Sequence, residues 1–73
     1  MEYTVIMHPA EEGGYWAEIP ALSGCYSQGE TLEEVMENVK AAVESHVDAL
    51  KQDNQVVPIE RGIMIGRVEV LAA

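Results

Sequence analysis

The sequence predicts an α+β fold, a small sheet carrying one helix, and three observations lead there. Leu32, Val35, Met36, Val39, Val43, Val47 and Leu50 recur at three- and four-residue steps, which lines them up along one stripe of an α-helix. The flanking segments, around Tyr3–His8 and Ile63–Leu71, are rich in β-branched and apolar residues. A single amphipathic helix must bury its stripe against something, and the only surface available is a sheet built from those flanks.

The elements follow in order. Tyr3 to His8 reads as a strand ended by Pro9, and because both of its faces are largely apolar it is expected in the sheet interior. Ala10 to Gly14 reads as a hairpin turn, with Gly13 and Gly14 supplying positive φ. Tyr15 to Ile19 is a second strand stopped by Pro20, and Gly24 to Gln28 a short third strand closed by Gly29. Thr31 with Glu34 forms a capping box at the helix start, and Glu33 and Glu34 suit the positive end of the helix dipole. Asp53-Asn54-Gln55 is a polar exit, Pro58 prevents a restart, and Ile63 to Leu71 is expected as a fourth strand. If the first three strands alternate, the third and fourth run the same way and the helix is a right-handed crossover. The expected order is β-β-β-α-β, a four-stranded mixed sheet in spatial order 3-2-1-4, with the helix on one face and the other face left for a second copy or a partner.

Size and charge narrow the function. At 73 residues the chain is one domain (1–73), and a core this small usually needs a disulfide, a metal or self-association. One cysteine makes no internal disulfide, and no Cys/His pair stands at a zinc-finger spacing, so self-association is the expected remedy. A lone thiol without a secretion signal points to the cytoplasm, and no apolar run approaches a membrane span. Thirteen acidic against four basic side chains, a net charge of −9, argue against a nucleic-acid surface and suit a basic protein partner.

Four segments then carry a family resemblance: Gly13-Gly14-Tyr15-Trp16, Ile19-Pro20-Ala21-Leu22-Ser23-Gly24-Cys25, Gly29-Glu30-Thr31-Leu32-Glu33-Glu34-Val35 and Glu37-Asn38. Together and in this order, over roughly residues 3 to 53, they resemble the HicB family of antitoxins. The resemblance implies a truncated RNase H-like fold, self-association, and binding to a small basic HicA-like toxin that cleaves RNA. Ser23 stands where the family often has proline. Many HicB proteins carry a DNA-binding domain after the last strand; no such segment is expected here, and operator binding is not carried over.

No catalytic set emerges. RNase H chemistry needs several carboxylates converging on metal ions, yet the first strand carries no acid and the second offers Glu18 alone. Cys25 reads as a small buried thiol, since neither His8 nor His46 is spaced to serve it as a base. His46 borders the apolar stripe, and His8 precedes Pro9 at a strand end, where solvent exposure is expected. Gly13-Gly14 lacks the Lys-Ser/Thr of a phosphate loop. The expectation is a binding protein without enzymatic activity, metal or cofactor. Trp16 and Glu18 fall on the face away from the helix, where a tryptophan makes a good interface anchor; its alternative is local packing beside Tyr3 or Tyr26. Tyr3, Glu11, Glu12 and Glu30 complete the candidate contact residues for a partner or a second copy. The leading expectation is an antitoxin that occludes a HicA-like RNase. The rivals are a self-associating structural or regulatory domain and, least favoured, a degenerate metal-dependent nuclease.

Overall fold

The computed structural model describes residues 1–72. Three strands and one helix follow one another: β1 (Ile6–Pro9), β2 (Tyr15–Glu18), β3 (Tyr26–Gly29) and α1 (Leu32–Gln52). The sheet is antiparallel throughout, in the order β1-β2-β3. The β1–β2 hairpin closes through Gly13 and Gly14, both at positive φ, with the Gly13 amide donating to the Ala10 carbonyl and the Ala10 amide to the Gly14 carbonyl. Its register sets His8 opposite Trp16 and Ile6 opposite Glu18. The second hairpin sets Glu18 opposite Tyr26 and Trp16 opposite Gln28.

The helix begins as its sequence predicts. Thr31 is the N-cap, and its Oγ1 accepts a hydrogen bond from the Glu34 amide at 3.1 Å. The Glu34 carboxylate reaches one residue further back than a capping box requires and accepts from the Glu30 amide at 3.4 Å. At the far end the Asp53 amide bonds back to the Ala49 carbonyl, and Asn54 takes the left-handed conformation at φ 57°. The helix lies mainly on β3 and then on β2. Gly29 permits this approach: a Cβ there would stand 2.9 Å from the Val35 amide nitrogen. The core is Ala17, Ile19, Leu22, Cys25, Val35 and Val39, with Tyr3, Val5, Tyr15, Ala42, Val43 and Val47 packed at its margin. Leu32 and Met36 belong to the sequence stripe but stay exposed, because the helix stripe is wider than the three short strands beneath it.

Two expectations are corrected. The sheet has three strands rather than four, so the order 3-2-1-4 and the parallel crossover do not exist; the α+β class stands. Residues 55–72 contain no regular element. The Tyr3 hydroxyl donates to the Pro58 carbonyl at 2.6 Å, and the Glu60 carboxylate accepts from the Thr4 amide at 2.5 Å and the Thr4 hydroxyl at 2.7 Å. A side chain thus occupies the Thr4 amide just before β1 begins, and Gly62 follows at φ 114°. The first strand is consequently an edge, not an interior strand. It runs from Ile6 and includes Pro9, which an edge tolerates, and Met7 is 38 % exposed because the helix lies over the other two strands.

Candidate functional site, an acidic groove beside an uncovered aromatic face

Successive residues of a strand point to opposite faces, so the register assembles Ile6, His8, Trp16, Glu18, Tyr26 and Gln28 on the side away from the helix. Their side chains interact. The His8 imidazole stacks on the Trp16 indole with ring centroids 4.2 Å apart and 19° between planes. Tyr26 lies tilted at 6.4 Å from the indole. His8 Nε2 meets Glu18 Oε2 at 2.7 Å. Trp16 is therefore packed locally beside Tyr26, and beside His8 instead of Tyr3, yet it keeps 37 % of its surface exposed. His8 is half-buried in this cluster rather than free in solvent, and it is the residue that sequence reasoning missed. The hairpin register counted back from Gly13-Gly14 carries the signal that would have found it.

Around the rim, a groove of about 700 Å³ opens where the β1–β2 turn, the end of β3 and the start of α1 meet. It brings Glu11, Glu12, Trp16 and Glu30 together with Glu34 and Asn38, and no Lys or Arg lines it. Asn38 donates to the Gln28 carbonyl at 2.8 Å and so ties the helix to the β3 edge beside the groove. Among the described residues no Lys or Arg pairs with a carboxylate, so the groove carboxylates carry no internal counter-charge. Two of the expected contact residues lie elsewhere. Glu18 sits within the aromatic face, and Tyr3 is spent on the Pro58 tether at the margin of the core.

Cys25 is buried in the core, as expected for a packing thiol, and burial pushes its pKa up. It lies in the β2–β3 connection just before β3, its amide bonded to the Leu22 carbonyl. His46 is half-buried on the helix flank. Among the described residues no three His, Cys, Asp or Glu side chains gather in an arrangement that could hold a metal ion. No helix among them is long and apolar enough to cross a membrane.

This geometry defines a small acidic α+β domain that presents a carboxylate-lined groove next to an open aromatic face. The family model for the HicB-like antitoxins of bacterial toxin–antitoxin systems matches residues 3–68, and the chain belongs to that family. Its relatives include a UPF0150 protein of Synechocystis, 38 % identical over 73 residues, which cover all of this chain and 99 % of the relative. A UPF0150 protein of Thermoplasma acidophilum is 41 % identical over 58 residues, 80 % of this chain and 84 % of the relative. One from Helicobacter pylori is 35 % identical over 63 residues, 86 % of this chain and 88 % of the relative.

Proposed function

We propose that the chain is a cytoplasmic antitoxin that binds a small basic HicA-like RNase and occludes its active site, without doing chemistry itself. The observation that carries this reading is the groove of Glu11, Glu12, Glu30 and Glu34, free of cationic neighbours on a chain of net charge −9. Unpaired carboxylates of one sign speed the encounter with a basic protein and fix its orientation. The Trp16–Tyr26 face next to the groove supplies apolar area to hold the complex once formed.

The test is binding of the cognate toxin at low and high salt, with cleavage of RNA by the toxin as a second readout. Wild-type chain should bind and suppress cleavage. Replacing Glu11, Glu12 and Glu30 together by Lys should weaken binding at least about tenfold at low salt, with unchanged thermal melting. Undiminished binding by that variant would remove the groove from the interface, and failure of the wild-type chain to bind would remove the antitoxin reading. The second reading, a self-associating regulatory domain with no toxin partner, is favoured by a different observation, the exposed apolar residues beyond Glu60.

A further inference from the structure

The sheet face away from the helix gathers aromatic rings and hydrogen-bond acceptors at one place, with Trp16 at its centre. The register sets His8 across from Trp16 on β1 and Gln28 across from it on β3, while Glu18 stands two residues along β2 with Tyr26 opposite. His8 covers one side of the indole at 4.2 Å and 19°, and its Nε2 is held by Glu18 Oε2 at 2.7 Å. A stacked and tethered imidazole limits the rotamers open to the indole, so the ring is fixed before anything arrives. Tyr26 stands at 51° to the indole, splayed rather than stacked, and is 63 % exposed. Glu18 Oε1 takes no hydrogen bond among the described residues, and the Glu18 side chain is 35 % exposed.

We propose that this face is an arginine-recognition site, on which the guanidinium of a partner protein lies against the Trp16 and Tyr26 rings and donates hydrogen bonds to Glu18 Oε1 and the Gln28 side-chain carbonyl. The inference deepens the binding role proposed above, and it rests on that reading for a basic protein as the source of the arginine. A guanidinium is flat, weakly hydrated and carries its N–H donors in its own plane, so it stacks on a ring and pairs with a carboxylate at the same time. A lysine ammonium is a compact, strongly hydrated charge that gives up more water for the same ring contact. A nucleobase stacks on such rings too, but it arrives with phosphate, and this face carries a carboxylate and no Lys or Arg on a chain of net charge −9. An apolar side chain or a lipid would cover Glu18 and His8 without replacing the water they lose. The sheet holds no cation of its own for the site: Lys40 and Lys51 belong to α1 on the opposite side, and Arg61 and Arg67 to the arm that runs on from Glu60.

The groove carboxylates are not part of this site. They draw in any cation alike, whereas the rings discriminate between cations of equal charge. Selectivity for arginine over lysine, rather than affinity or salt dependence, is therefore the signature of the face.

Nuclear magnetic resonance titration of the full chain tests it with three capped tripeptides, acetyl-Gly-Arg-Gly-amide and its lysine and citrulline counterparts, at an ionic strength held at about 0.15 M. The arginine peptide should saturate with a Kd on the order of 10 mM and move the amide resonances of Trp16, Glu18 and Tyr26. The lysine peptide should bind at least about threefold more weakly, and the citrulline peptide, which keeps the shape and loses the charge, should not saturate. Tyr26→Ser, at an exposed position outside the core, should weaken the arginine peptide at least about threefold, and so should Glu18→Gln. Trp16→Leu should abolish the preference for arginine over lysine; should that variant unfold, Trp16→Phe keeps a ring in place and should reduce the preference without removing it. Equal affinity for the arginine and lysine peptides overturns the proposal, as does an arginine preference that survives both Trp16→Leu and Tyr26→Ser. So does tighter binding of adenosine monophosphate than of the arginine peptide, or no saturation by the arginine peptide up to about 100 mM. None of these titrations contains the toxin. An arginine preference in a chain that ignores the toxin keeps the site and removes its proposed source, while toxin binding by a chain that treats arginine and lysine alike keeps the antitoxin reading and removes the site.

Discussion

Single side chains decide how the small core holds. Cys25 occupies a space in which an apolar neighbour shell raises the cost of ionising the thiol. The sign of the pH effect follows. A pKa raised in the folded state means that the fold binds the proton more tightly than the unfolded chain does. The stability tied to the neutral thiol is therefore intact below its ordinary pKa, about 8.5, and is lost as pH rises through the elevated folded value. Urea unfolding from about pH 7 to about pH 10 should show stability falling on the alkaline side, and Cys25→Ala should flatten that part of the slope; an identical slope in the variant would assign the loss to other groups. The burial of Cys25 was legible in the sequence from residue type alone. The engagement of His8 was not, because a histidine at a strand end before a proline reads as solvent-exposed until the hairpin register sets it across from Trp16.

Among the elements, the helix was the most legible, since a helical repeat and a capping residue are local signals that need no knowledge of the rest of the fold. Both its start at Leu32 and its polar exit at Asp53 agree with the sequence reading. The cap is worth testing on its own. Thr31→Ala removes the acceptor for the Glu34 amide next to the Gly29 contact and should cost about 1 kcal/mol in denaturant unfolding, while Thr31→Ser should cost little. Equal losses in both would mean that the threonine methyl group, not its hydroxyl, matters there. The strands were legible in number up to the helix and in turn chemistry. Their ends were not: a strand stops where pairing stops, and pairing is a property of two segments.

The same limit explains the largest departure, at the scale of the whole molecule. Ile63–Leu71 has the composition of a strand, and composition says nothing about whether a neighbour is in place to pair with it. The chain is instead tied to the sheet by tethers at Tyr3 and Thr4, and no periodicity in the sequence announces a carboxylate reaching across to a backbone amide. The acidic groove was legible only as a set of separate acids. Glu11 and Glu12 stand far along the chain from Glu30 and Glu34, and the two pairs meet because the hairpins fold the β1–β2 turn back beside the helix start. If the arm is dispensable to the monomer, removing residues 62–73 should leave the unfolding free energy at low concentration within about 0.5 kcal/mol of the full chain. A large loss would place the arm in the folding unit.

The stacked indole has a practical corollary. Trp16 is the sole tryptophan of the chain, and it sits partly uncovered in the middle of the sheet surface, in van der Waals reach of an imidazole. Its fluorescence is thus a built-in optical gauge of that surface. Anything that lands there and drives off the remaining water moves the emission toward the blue without any label, while a ligand confined to the helix side leaves the colour of the light unchanged.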